Sequence, residues 1–348
     1  MKVKYFILTP IIFLFVSCEE MLFEDDVSNT PENNFEMFWN DIKIYYPFFE
    51  IKNVKWDSIY SYYKPKVTTY TTGAQLFDIF GEMIKPLKDG HVNLYSQFGA
   101  SHSYPMGIFT DYYSNNRIYP QNYLQSFGSN NSNINSWNVI GHNIGYISIN
   151  TFQGQDGAST FASESFLIID NIVNQFKNKD GIIIDIRWNG GGLQPNVETI
   201  ANRFTDKKRL YAKERSKNGP SSNDFSDWLD WHIEPEGSYQ FAKPVVVLTS
   251  RSTGSAAEWF ILAMKTLPNV KTVGDTTNGS FSRHIYRELP NGWSFSLPTS
   301  IVASADLKVY EGEGIPPDFC ILNTQNDVNN EKDAILEKGI EVIETNVK

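Results

Sequence analysis

Pro244-Val-Val-Val-Leu-Thr-Ser-Arg-Ser-Thr-Gly-Ser-Ala-Ala-Glu258 begins with an apolar, β-branched run and ends on a helix-start pattern. The run over 244–249 reads as a buried strand, and 255–267 as a helix stopped by Pro268. A strand that hands over directly to a helix is half of a βαβ unit. The same alternation recurs upstream: a strand over 144–150, a helix over about 158–176, a buried strand over 181–186, then Gly190-Gly-Gly192 and a helix through Val197, Ile200 and Phe204. Downstream, Val270 to Val273 begins a further strand. Repeated strand–helix alternation predicts α/β architecture with a parallel sheet.

Outside that core the periodicity changes. Phe35, Phe38, Trp39, Ile42, Tyr45 and Tyr46 recur at helical spacing, as do Leu76, Phe80, Met83 and Leu87. A shorter aromatic helix is expected at Trp56–Tyr63. These stripes read as core packing for a smaller N-terminal helical domain, 32–95. Residues 96–142 are rich in Asn, Ser, Gly and Tyr without a clear period, and read as a loop-rich connection with a few short strands. The core domain is expected over 143–348, with a polar, Trp-rich insertion at 206–242. A hairpin is predicted over 287–295 with Asn291-Gly292 at its tip. A C-terminal amphipathic helix would carry Ile335, Leu336, Ile340 and Ile343.

The N-terminus reads as an export signal. Lys2 and Lys4 precede an apolar run over 5–16 that is short for a bilayer span, and Ser17-Cys18 resembles the lipobox of bacterial lipoproteins. Residues 1–17 are then a signal peptide, Cys18 is the lipidated residue, and 18–31 form an acidic tether. Loss of Lys2 and Lys4 takes the 30 basic residues to 28 against 40 acidic, a net charge of −12. That balance argues against nucleic acid and anionic lipid as partners. Membrane contact is expected only through lipid on Cys18, in a bacterial cell envelope and facing the periplasm or the cell surface. With Cys18 acylated, Cys320 is left alone and no intrachain disulfide forms.

Three short stretches carry chemistry. Ser255-Ala-Ala-Glu258 fits a capping box. It also sets a hydroxyl where strand meets helix, near the positive end of the helix dipole, with the Ala256 amide free to donate to an oxyanion. Asp185-Ile-Arg-Trp-Asn-Gly-Gly-Gly192 is a glycine-rich turn after a strand. It lacks the spacing of a phosphate loop or a dinucleotide fingerprint, but its glycines let a backbone approach a substrate closely. Leu87-Lys-Asp-Gly-His-Val92 contains His91, the best-placed base for Ser255 at neutral pH. None of His91, His102, His142, His232 and His284 falls in a metal-ligand spacing, so neither metal nor other cofactor is expected.

Taken together, the three stretches resemble the C-terminal-processing (tail-specific) and tricorn-core serine peptidases. Ser255-Ala-Ala-Glu258 is similar to that family's nucleophile motif, and 185–192 to its oxyanion loop. Tyr310-Glu-Gly-Glu-Gly-Ile-Pro-Pro-Asp318 resembles its C-terminal signature. The resemblance implies a crotonase/Clp-protease-like superhelix of βαβ units. It also implies hydrolysis of peptide bonds in a peptide or unfolded protein substrate. No lysine occurs over 272–307, where the tail-specific branch carries its base, so the chain is similar to the His-using, tricorn-like branch. That branch implies His91 as base, Glu311 as the acid completing the relay, and Gly191 with Ala256 as the oxyanion hole. Gly90 stands where the branch has a serine, so Glu311 reaches His91 directly or through water, or Asp89 or Ser280 assists. The segment between His91 and the 144–150 strand is too short for a PDZ domain. Two other readings stand beside this one: a catalytically inactive homologue that binds peptides or hydrophobic small molecules, and a crotonase-like acyl-thioester enzyme.

Overall fold

The computed structural model describes residues 27–104, 117–154 and 162–347. The expected signal peptide, Cys18 and the tether up to residue 26 therefore lie outside the described residues. Among the described residues no helix is long and apolar enough to cross a membrane.

Helix α1 (Pro31–Tyr45) starts on Thr30, whose side chain accepts the Asn33 amide, with Pro31 at the first helical position. Its Phe35, Phe38 and Ile42 are fully buried at the expected three- and four-residue spacing. Helices α2 (Trp56–Tyr63) and α3 (Gly73–Ile84) complete the N-terminal region, α3 opening with a Thr72–Gln75 capping box. Phe38 stacks on Phe80 at 4.2 Å. Strands β1 (Asn93–Ser96) and β2 (Gly99–His102) follow.

The core then runs through β3 (Leu124–Asn130), β4 (Ile134–Val139), β5 (Ile144–Ile149), α4 (Ile168–Gln175), β6 (Gly181–Asp185), α5 (Gln194–Ala201), β7 (Arg209–Ser216) and β8 (Leu229–Ile233). It continues through β9 (Val245–Thr249), α6 (Ala256–Lys265), β10 (Val270–Gly274), β11 (His284–Glu288), β12 (Ser294–Pro298), β13 (Ser300–Ser304), β14 (Phe319–Cys320), α7 (Gln325–Asn329) and α8 (Ala334–Val347).

The principal sheet has seven strands in the order β14-β10-β9-β6-β5-β4-β3. Neighbours from β14 to β5 are parallel, whereas β4 and β3 extend the sheet antiparallel. Every residue of β6 and β9 is buried, which is why both read as unbroken apolar runs. Side chains alternate between faces. Ile183, Val246 and Leu248 pack with Leu336, Ile340 and Ile343 of α8, while Ile182, Ile184 and Val247 join the larger core with α4, α5 and α6. The α/β expectation is met, with helices on both faces of a mixed sheet.

Two smaller antiparallel sheets flank it, ordered β11-β12-β1-β2 and β13-β7-β8. The first completes the N-terminal core: Trp293, Phe295 and Leu297 bury against Phe38, Phe80 and Leu94. The insertion at 206–242 supplies β7 and β8.

Candidate active site

Strands β6 and β9 are adjacent and parallel, so the loops leaving their carboxyl ends lie side by side. Open α/β sheets build their sites on this edge. The turn after β9 is bolted to the turn after β6. Ser250 Oγ donates to the Arg187 carbonyl, Thr253 Oγ1 to that of Ile186 (2.9 Å), and the Gly254 amide to that of Asn189 (3.1 Å).

Ser255 leaves this turn in a strained conformation, φ 53° and ψ −125°. A non-glycine residue in this region costs about 1–3 kcal/mol and persists only where its surroundings enforce it. Glu258 is the enforcer. As the capping box predicts, its carboxylate accepts the Ser255 amide (3.1 Å). It also accepts Thr277 Oγ1 (2.6 Å) and the amides of Gly279 (2.6 Å) and Ser280 (2.8 Å). Burial raises its pKa to about 7, against the opposing pull of those four donors.

Gly191 packs against the same turn at φ +110°. A Cβ there would lie 2.7 Å from Ser255 Cβ and 2.9 Å from the Ala256 nitrogen, so no other residue fits. The Gly191 N–H donates to Asn189 Oδ1 (2.9 Å), and its carbonyl accepts from Phe152 N–H and Thr151 Oγ1. Ala256 is the first residue of α6, so its N–H has no intrahelical acceptor. Ser255 and Ala256 open onto a cleft of about 750 Å³, walled by Leu193, Trp231, Trp259, Phe281 and His284.

His91 comes from the N-terminal region, in the turn between α3 and β1. Buried Asp89 shapes that turn by accepting the His91 amide on Oδ1 (3.0 Å). Its Oδ2 accepts Tyr46 OH (3.0 Å) and Lys52 Nζ (2.7 Å). Ser296 Oγ of β12 donates to the His91 carbonyl (2.8 Å). The His91 ring lies flat on the His284 ring, centroids 5.0 Å apart and planes within 17°. Its Nδ1 is sealed from solvent and has no hydrogen-bond partner among the described residues. Burial lowers the His91 pKa to about 4, outweighing the opposing pull of Asp89.

Glu311 is buried, whereas Glu313 is exposed. The Glu311 carboxylate accepts the Phe281 amide (2.9 Å), and burial followed by the Asp89 charge pushes its pKa well up. Its hydrogen bonds do not reach His91. Neither of the other two groups weighed for the relay bonds the His91 ring: Asp89 accepts only the backbone amide of His91, and Ser280 Oγ donates to Asn278 Oδ1 (2.7 Å). Ser280 Oγ does lie 3.6 Å from where a side chain on Gly90 would begin. The structure thus joins Ser255, Ala256 and Gly191 directly. It connects His91 to their cleft through His284, and holds Glu311 on the Phe281 amide beside it.

Sequence reasoning missed His284. Its signal was faint: one histidine at the start of a hairpin strand whose partner, β12, also pairs with β1 just after His91. Asp185 and Arg187 are anchors. The guanidinium is buried between Asp185 and Asp333, which ties the glycine loop to the head of α8. Among the described residues no cluster of His, Cys, Asp and Glu is arranged to hold a metal ion.

The profile of peptidase family S41 matches residues 143–321, and that of the tricorn protease C1 domain matches residues 28–85. Carboxy-terminal processing protease CtpA of Bacillus subtilis is 31% identical over 176 residues, 51% of this chain and 34% of CtpA. The match thus spans about a third of that relative's length. The crystal structure of a candidate peptidase from Parabacteroides merdae aligns with TM-score 0.80 and 31% identity, over 91% of this chain and 97% of that one. Mature CPAF aligns with TM-score 0.68 over 91% of this chain and 97% of its own; at 13% identity that likeness speaks for the fold alone.

Proposed function

The chain belongs to peptidase family S41, and from that premise we propose that it is a serine peptidase in which Ser255 is the nucleophile and His91 the base. The observation that carries the reading is the Ser255 turn. A strained serine at the mouth of a cleft, with a glycine pressed against it and a free helix N-terminal amide beside it, is the arrangement acyl transfer needs.

In the proposed reaction His91, neutral because burial holds its pKa down, takes the Ser255 proton as the oxygen attacks a peptide carbonyl. The Ala256 N–H and the Gly191 N–H, the latter shared with Asn189 Oδ1, hold the oxyanion. Protonated His91 then gives its proton to the leaving amine, and water releases the acyl group. Glu311 acts through the Phe281 amide that it holds, since none of its hydrogen bonds reaches the imidazole. Peptides or loosely folded segments suit a cleft walled by Trp231, Trp259 and Phe281. The companion proposal for the N-terminus is acylation of Cys18 and tethering to a bacterial envelope membrane.

One observation favours a second reading, a non-catalytic module that binds peptides or hydrophobic small molecules: the orphaned His91 Nδ1. A peptide library followed by mass spectrometry separates the two, with the full chain beside Ser255→Ala and His91→Ala. Cuts made by the parent and lost in both variants support the peptidase. Identical patterns from all three, or none, would leave the binding module.

A further inference from the structure

Five imidazoles occur in the chain, and two of them lie face to face at the cleft. His284 walls the Ser255 cleft, and His91 lies beneath it with its ring plane within 17° of parallel. The turn that carries His91 is well fixed: Asp89 holds its amide and Ser296 its carbonyl. Nothing comparable fixes the ring. Buried polar atoms without partners are rare, and an imidazole usually has its orientation chosen by a bond to one nitrogen. Here the Nδ1 side offers none, so the ring plane is set by what packs on it.

We propose that His284 is a positioning residue: its ring, stacked on His91 and exposed to the cleft, holds the base in plane where a hydrogen-bonded carboxylate would otherwise do so. The proposal rests on the reading of His91 as base. A neutral His284 also presents a π face to the imidazolium that forms when His91 takes the Ser255 proton, which favours that charge. A protonated His284 would oppose it. The other groups acting on the pair are Asp89 and Lys52 in mutual contact, Tyr46 against Asp89, and Tyr286 with its ring 5.5 Å from His284; Glu311 acts on Asp89, and Arg283, next to His284 in the chain, pairs with Glu214. Burial lowers the His284 pKa as well, so its neutral form prevails through the neutral range.

Two substitutions separate the stack from the nitrogen. His284→Phe keeps a flat ring and removes the charge; His284→Ala removes both. For His284→Ala we expect kcat to fall about tenfold or more, as a catalytic histidine loses its orientation, with KM moving far less. His284→Phe is expected to recover activity to within about threefold of the parent. In proton NMR titrations of the full chain, the His91 midpoint is expected to rise in His284→Phe, because a like charge beside it is gone.

Equal losses in both variants would overturn the proposal in favour of a chemical role for the His284 nitrogen. Full activity in both would overturn it by showing the ring to be dispensable. If His91→Ala retains activity, the reading of the base fails instead. If no peptide is cut, the NMR titration still decides: an unmoved His91 midpoint in His284→Phe overturns the coupling of the two rings.

Discussion

Ser255 opens onto the cleft and His91 lies behind its His284 wall, and the two are held in different ways. The serine turn is fixed by hydrogen bonds that it donates to carbonyls of the Arg187 loop, by the Glu258 carboxylate and by the close approach of Gly191. The histidine's backbone is fixed by Asp89 and Ser296, while its ring rests on another imidazole with one nitrogen unpartnered. The first arrangement is built within the α/β core, from loops that leave neighbouring strands. The second is built where the N-terminal helices meet a hairpin from the far end of the chain. Backbone bonds between neighbouring loops fix a hydroxyl in position, whereas stacking defines a plane and leaves rotation within it open.

That contrast can be broken most forcefully on the serine side. Gly191→Ala would drive a methyl into Ser255 Cβ at an unfavourable φ, and we expect kcat/KM to fall at least a hundredfold, the scale of losing an oxyanion donor. Preserved activity in a peptide-turnover assay would show that the turn is not rigid.

Next in size is Glu258→Gln, which sets an NH2 against donors that now share a carboxylate. A loss of about 2–4 kcal/mol in urea unfolding is expected, since buried polar groups lose their acceptor. An unchanged midpoint would mean that the network contributes little.

On the histidine side the expected effects are smaller. Gly90→Ser has room, its Cβ meeting only Ser280 Oγ at 3.6 Å, and would add a hydroxyl next to His91, the proposed base. A rise of about threefold in kcat/KM is expected, small beside the full value of orienting a catalytic histidine. A fall would count against loose orientation as the limiting defect.

The smallest effect is expected from acid. With His91 as the proposed base, its pKa of about 4 keeps it neutral to about pH 5, so kcat/KM should fall by less than about twofold from pH 7 to 5 and drop only as pH passes through 4. An ordinary histidine near 6.5 would already have lost about thirtyfold at pH 5.

Glu258 adds a stability signal of definite sign. Its folded pKa of about 7 lies above the usual carboxyl value, so the folded state binds the extra proton between the two. Stability is fullest below the unfolded value and declines as pH rises through about 7. Urea midpoints that rose with pH across that window in the parent and not in Glu258→Gln would reverse this assignment.

The serine side was the more legible half in sequence because its parts are local. The runs of β6 and β9 are buried on both faces and so read as continuous apolar segments, and Ser255-x-x-Glu258 signalled the helix start. The histidine side depends on pairings across the chain that no local period reports. Trp293, Phe295 and Leu297 complete a core begun by Phe38 and Phe80, about two hundred residues earlier. His284 enters the site only because β12 pairs with both β11 and β1. Strands β3 and β4 were hard to read for another reason. They extend the principal sheet antiparallel, and β4 is only partly buried, so its Ser, Asn and Trp positions blur the alternation.

The Arg187 clamp bears on the order in which the fold can be completed. Asp333 lies 146 positions beyond Arg187 in the chain, and burying the guanidinium with only one of its two carboxylates is costly. A chain ended before Asp333 should therefore unfold at lower urea and lack turnover. The glycine loop lacks its second anchor until the head of α8 has packed against it. The geometry of the loop beside Ser255 thereby depends on a contact made with a residue 146 positions downstream.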